Sequence, residues 1–268
     1  MTTAQHFDAI VVGAGPAGSS AALAMARAGM RVALIERGEY AGAKNVSGAA
    51  LYAPGLLADL LPNYWEEAPV ERFLTRRVIS LLGQESALSI DFRTNHFAQP
   101  PCNGFTILRP KFDRWLADKA QQAGATLITS TVVDDLLYER EQVAGVLCRR
   151  EQGELYAPVV IAADGANSFL AKKAGLQHEF RADEMTLGIK EVLRLDAHTI
   201  EERFNLTNDQ GMATEYVGFA TGNVKGGAFL YTNRDTLSIG LVTQIASLAQ
   251  QRVKPYELLD QFKQHPAV

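Results

Sequence analysis

Residues 7–18 read FDAIVVGAGPAG, and the reading of this stretch decides the fold. The first six are apolar apart from Asp8 and end in the β-branched Ile10, Val11 and Val12, as in a parallel strand buried on both faces. Gly13, Gly15 and Gly18 follow at GxGxxG spacing. Pro16 and Ala17 lead into a run of small residues, 17–28 (AGSSAALAMARA), that predicts a helix ending at Gly29. Each glycine has its own task in such a turn: the first permits the tight bend, the second lets backbone approach a pyrophosphate, and the third lets helix and strand pack closely. The helix start then offers free N–H groups and the positive end of its dipole to a phosphate. A second strand, 31–35 (RVALI), ends at Glu36. A carboxylate there can accept hydrogen bonds from ribose hydroxyls and would repel a 2′-phosphate, so FAD or NAD is preferred to NADP. Strand, turn, helix, strand and acid in this order predict a dinucleotide site.

Composition sets the wider bounds. The chain has 268 residues, 47% hydrophobic and 21% charged, enough for one large or two small domains, each with a core. A formal charge of -4 and no basic cluster longer than a pair argue against a nucleic-acid surface. Cys102 and Cys148 form no CxxC pattern, and His6, His96, His178, His198 and His265 lack metal-ligand spacing, so neither a disulfide framework nor a metal centre is expected. Residues 9–26 run without a charge. No Lys or Arg precedes them, and Gly13, Gly15, Pro16 and Gly18 interrupt them, so neither a transmembrane segment nor a signal is read here and a cytoplasmic location is expected.

Further along, residues 37–50 (RGEYAGAKNVSGAA) form a loop at the carboxyl end of the second strand, where ligands of open α/β sheets bind. Lys44 and Asn45 offer donors there, and Arg37 is taken with Glu36 as a candidate contact. Leu56, Leu57, Leu60, Leu61 and Trp65 recur at helical spacing and predict a core-packed helix within 51–65. The pattern of 71–109 is strand-like (VISLL, ALSIDF, FTILR), and a helix from Pro110 presents Phe112, Trp115, Leu116 and Ala120 on one face before Gly124. A strand (125–129), a hairpin (131–139 with 142–150) and another strand (157–163) are read as completing the βα layer begun at residue 7. Asp164 and Gly165 then follow a buried strand and precede a short helix, where an acid can hold ribose hydroxyls and a glycine admits close backbone. From 185 to 243 the runs are again β-like. The expected fold is therefore α/β, a Rossmann-like domain of 1–70 and 110–180 with an interleaved β-rich domain of 71–109 and 181–268.

GAGPAG with Glu36, LRPKFDRWL (108–116) and AADGANS (162–168), in this order and spacing, resemble the FAD-dependent oxidoreductase superfamily that includes aromatic hydroxylases and geranylgeranyl reductases. More narrowly, RGEYAGAKNVSG (37–48), LGIKEV (187–192), GGAFLYTN through SIGLV (226–242) and the closing FKQHPAV resemble the FixC branch of the electron-transfer flavoprotein:quinone oxidoreductases. The resemblance implies FAD as cofactor, with Gly13, Gly15 and Gly18, flanking Pro16 and Ala17, cradling its pyrophosphate and Glu36 binding its ribose. It also implies that Arg109 faces ribose and pyrophosphate, that the backbone of Val133 meets adenine, that Asp164 and Gly165 form a second cofactor motif, and that Lys44 and Asn45 lie near the isoalloxazine. Electrons would pass from an electron-transfer flavoprotein to a quinone or a ferredoxin-like acceptor, and a lipid-soluble quinone would bring the protein to the inner face of the cell membrane. No acid–base side chain is expected to be catalytic, because the flavin carries the chemistry.

The mitochondrial type of this enzyme holds an iron–sulfur cluster on four cysteines, which two cysteines cannot supply; the FixC type leaves that cluster to a separate protein. A GD-containing motif expected beyond the β-rich region does not follow Asp164, so the resemblance implies a C-terminally truncated chain. Two other readings stay open: a flavin monooxygenase or geranylgeranyl-reductase-like enzyme on the same scaffold, and an inactive flavoprotein fragment.

Overall fold

The structure is a computed structural model that describes residues 5–45, 48–52, 55–100 and 102–268. From the amino end the chain forms β1 (Gln5–His6), β2 (Ala9–Val12), α1 (Pro16–Arg27) and β3 (Val32–Ile35). It continues through β4 (Gly48–Tyr52), α2 (Gly55–Leu60), β5 (Val70–Leu82), β6 (Ala87–Arg93) and β7 (Gly104–Leu108). Next come α3 (Arg109–Gln122), β8 (Thr126–Ile128), the hairpin β9 (Val133–Glu139) and β10 (Gln142–Cys148), β11 (Glu154–Tyr156), β12 (Val160–Ala162) and α4 (Phe169–Lys173). The last stretch carries β13 (Thr186–Arg194), α5 (Ala197–Phe204), β14 (Gln210–Gly218), β15 (Gly226–Thr232), β16 (Thr236–Gln244), α6 (Ile245–Gln251) and α7 (Pro255–Lys263). Two compact units result, Met1–Asn45 with Arg109–Glu179 and Val46–Leu108 with Phe180–Val268.

The first unit is built on a parallel four-stranded sheet in the order β12-β2-β3-β8. All four residues of β2 and of β3 are buried, which their unbroken apolar sequences AIVV and VALI demand. Parallel pairing of β2 with β3 requires a crossover, and α1 provides it. Ile10, Val12, Ala33 and Ile35 share one core with Leu136, Val146, Leu155 and Leu170, so the face opposite α1 is covered by a second sheet. That sheet has the order β1-β11-β10-β9. The β9–β10 hairpin therefore does not join the βα layer, as its sequence was expected to do. Its alternating apolar residues face the layer instead of extending it, with Leu136 and Val146 buried against Ile10 and Ile35.

The second unit is a mixed eight-stranded sheet, β13-β16-β15-β14-β5-β7-β4, with β6 paired to β5. One face, including Val78, Leu82, Met212, Leu230 and Leu241, packs with Ile200 of α5 and with Leu258, Leu259 and Phe262 of α7. The expected core helix within 51–65 is reduced to the short α2, which does not pack into the core. β4 occupies Gly48–Tyr52, α2 is six residues long with no buried member, and Leu56 is 82% exposed. The first change of unit also falls at Asn45, well before residue 70, because β4 pairs antiparallel with β7 over Gly48↔Leu108 to Tyr52↔Gly104 and is thereby part of the β-rich unit.

Candidate functional site

The carboxyl ends of β2, β3 and β12 open into a cleft of about 380 Å³ within the first unit, of the size that small-molecule sites occupy. Its floor is the glycine turn. Gly13 has φ +100°, and a Cβ there would lie 2.3 Å from the carbonyl oxygen of Ala163, so this position must be glycine on two grounds. At Gly18 a Cβ would meet the carbonyl oxygen of Gly13 at 1.9 Å, which keeps α1 tight on the turn. Gly15 is different: nothing lies within 4 Å of the space its Cβ would take, and the residue lines the cleft. Open space beside Gly15 suits the approach of a ligand as the closeness at Gly13 and Gly18 suits packing. Helix α1 begins here without a side-chain cap and without an acid in its first turn, so its N-terminal field is offered to an anion.

Glu36 fixes the turn to the next loop. Its Oε2 accepts the Ala14 N–H at 3.0 Å and its Oε1 accepts the Gly38 N–H at 2.7 Å. Each carboxylate oxygen keeps a further acceptor site, so Glu36 can hold both loops and still receive a hydroxyl. Across the cleft, Asp164 accepts from the Ser168 hydroxyl at 3.0 Å and from the Leu170 N–H at 3.2 Å, while Gly165, at φ +89° and with nothing within 4 Å of its would-be Cβ, leaves open backbone beside it.

Of the residues singled out in the sequence, Gly13, Gly15, Glu36, Arg37, Lys44, Asn45, Val133, Asp164 and Gly165 line this one cleft. Pro16 and Ala17 lie in the first turn of α1 and Gly18 supports it from below; none of the three lines the cleft. Arg109 does not line it either. Its Nε and Nη2 donate to Oδ1 and Oδ2 of Asp113 at 2.7 and 2.8 Å, and Asp113 is the one that reaches the cleft wall. Asp113, fully buried, was not foreseen from sequence, although an acid four residues after Arg109 on a helix is a recognisable ion-pair spacing. Thr131, Val132, Ala166 and Asn167 are among the further lining residues that had not been singled out. Among the described residues no group of three or more His, Cys, Asp or Glu side chains could hold a metal ion, and no helix is long and apolar enough to cross a membrane.

A family model for FAD dependent oxidoreductases matches residues 8–237. The chain belongs to this family. FAD is the family's cofactor, and a wide cleft floored by Gly15 and flanked by Glu36 and Asp164 fits its adenosine and diphosphate. The chain is 41% identical over 265 residues to Protein FixC of Bradyrhizobium diazoefficiens, covering 98% of this chain and 61% of that protein. It is 44% identical over 264 residues to the probable electron transfer flavoprotein-quinone oxidoreductase YdiS of Escherichia coli K12, with coverages of 98% and 60%. The family member described here thus spans about three fifths of the length of these relatives. In fold it is similar to a geranylgeranyl bacteriochlorophyll reductase-like protein of Thermoplasma acidophilum, with a TM-score of 0.79 at 22% identity, covering 98% of this chain and 63% of that one.

Proposed function

We propose that the cleft of the first unit holds the adenosine and diphosphate of FAD, and that the protein passes electrons from an electron-transfer flavoprotein to a quinone, with a ferredoxin-like protein as the other candidate acceptor. The observation that carries the first part is the convergence of Gly15, Glu36 and Asp164 on one opening at the carboxyl edge of a parallel sheet. The second part is supported by the relatives, one of which bears the name of a probable electron transfer flavoprotein-quinone oxidoreductase.

In this reading Glu36 receives the ribose hydroxyls while the turn N–H groups keep its carboxylate in place. Gly13 and Gly15 bring backbone to the diphosphate, Gly165 adds backbone from the turn after β12, and Asp164 beside it can receive hydroxyls. The backbone of Val133 borders the adenine. Bound flavin would supply the ability to take and release electrons singly or in pairs. Lys44, an exposed cation on the cleft wall, would favour added negative charge on that group. Replacing Lys44 with Met should lower the midpoint potential; potentiometric titration of the variant checks this, and an unchanged potential with unchanged turnover contradicts the assignment.

The test of the whole reading uses the chain loaded with FAD. Reduced electron-transfer flavoprotein should bleach the flavin's visible absorbance, and a soluble quinone should restore it. Rapid oxidation of NADPH stimulated by an aromatic or isoprenoid compound, with no response to the electron-transfer flavoprotein, would favour a monooxygenase or prenyl reductase instead.

A further inference from the structure

We propose that Asp113 is the positioning residue of the cleft: its carboxylate, clamped from behind by the guanidinium of Arg109, sets the amide of Asn45 in a fixed orientation on the cleft wall toward the ligand. This rests on the reading that the cleft holds FAD. Asp113 is fully buried, one turn after Arg109 on α3, and it accepts three charged or polar hydrogen bonds. Two come from the Nε and Nη2 edge of Arg109, at 2.7 and 2.8 Å, and the third comes from Asn45 Nδ2 to Oδ2 at 2.9 Å. A planar fork held by two parallel bonds has its remaining N–H groups aimed in directions set by the fork. Asn45, with one amide N–H committed, is likewise turned in one sense only.

The loop carrying Lys44 and Asn45 is pressed on the same place. Gly42 has φ +88°, and a Cβ there would come within 2.9 Å of both the Asp113 Cβ and the Arg109 carbonyl oxygen and within 3.0 Å of the Pro110 Cα. Asp113 is therefore where the start of α3 and the end of the 37–45 loop meet, and both Asp113 and Asn45 line the cleft.

A buried carboxylate at a site for a diphosphate is unexpected on charge alone. It cancels the charge of Arg109, so an arrangement built for Coulomb attraction would omit it. Buried ionic groups add little net stability but can fix geometry. This allows charge and orientation to be told apart. Asp113→Asn removes a negative charge from the cleft wall and leaves Arg109 behind it unneutralised. If attraction dominates, FAD binds more tightly; if orientation dominates, it binds more weakly.

The experiment titrates FAD against the apo chain by quenching of flavin fluorescence, at low and moderate salt, for the wild type, Asp113→Asn, Arg109→Lys and the double swap Asn45→Asp with Asp113→Asn. We expect Asp113→Asn to lose roughly 10- to 100-fold in affinity, the equivalent of one or two charged hydrogen bonds, and to show a steeper salt dependence than the wild type. Arg109→Lys keeps the ion pair that the buried acid needs but loses the fork, and should lose a comparable factor. The double swap restores an amide–carboxylate bond between positions 45 and 113 without the Arg109 clamp, and should stay weaker than the wild type. Equal or tighter binding by Asp113→Asn overturns the proposal. Should that variant fail to fold, unchanged affinity in Arg109→Lys overturns it by itself. Absence of FAD binding by the wild type overturns the FAD reading and this proposal with it, whereas equal binding by all four proteins overturns this proposal alone.

Discussion

Arg72 in the β-rich unit and Arg109 in the cleft unit are each gripped by acceptors of their own unit, and the difference in what grips them separates fold from site. The guanidinium of Arg72 is 3% exposed at its side chain and is consumed by the protein: Nε donates to the Asn233 carbonyl at 2.7 Å, Nη1 to those of Asn208 and Gln210 at 2.8 and 3.1 Å, and Nη2 to that of Arg234 at 3.1 Å. Glu201 stands alongside at 3.4 Å. Four backbone carbonyls from separate stretches of the chain are tied together by one buried side chain. Arg109 is 29% exposed and rests on one buried carboxylate by one edge of its fork. A fully committed donor set is a staple of the fold, whereas a partly committed one, tied to an acid that lines the cleft, bears on the site.

Breaking the first of these should have the largest effect. Arg72→Met leaves those carbonyls and Glu201 without their donor and should cost about 3–5 kcal/mol, read as a fall in the urea midpoint of the β-rich unit. FAD affinity of the molecules that remain folded should be unchanged. If Arg72→Met instead removes FAD binding at full stability, the contrast between the two arginines fails.

The glycines sharpen the same contrast inside one turn. Gly18→Ala forces a Cβ to 1.9 Å from the Gly13 carbonyl and should destabilise the first unit by about 1–3 kcal/mol in thermal or urea unfolding. Gly15→Ala meets nothing and should move apo stability by less than about 0.5 kcal/mol while weakening FAD binding, because its cost appears only when a ligand approaches.

The smallest expected effect lies on the surface. Arg76 holds the Asp91 carboxyl below the usual carboxylate range, and Arg149 does the same for Asp134. A carboxyl lowered in the folded state stabilises above its unfolded value, near pH 4, and that contribution is lost as pH falls through the lowered folded value. Stability should therefore decline below about pH 4, and added salt should blunt the decline because both pairs are largely exposed. A decline that salt leaves untouched would contradict the assignment to these surface pairs.

The parts of the molecule legible in its sequence are those whose physics is local. The strand, the glycine turn, α1 and Glu36 fall within 30 residues of one another, and each neighbour constrains the next. Asp164-Gly165 was legible for the same reason, an apolar strand on one side and a helix on the other, although β12 proves only half-buried. What escaped depends on partners distant in sequence. Asp113 gains its role from Asn45, 68 positions away. The parallel pairing of β5 with β14 joins Phe73 to Gln210, and nothing in either strand specifies the other. The leucines from Leu56 to Leu61 have helical spacing and α2 forms over the first of them, but Pro54-Gly55 sets where it can begin and pairing of β4 with β7 claims the residues before it, so the helix stays short.

The central claim, that the glycine turn and Glu36 form an FAD site, is tested most directly by the flavin bound per chain after free FAD is removed. The wild type should retain one FAD and Glu36→Arg should retain none, since that change removes the ribose acceptor and the link between the Ala14 and Gly38 N–H groups together. Equal retention by the two proteins, or none by the wild type, would contradict it.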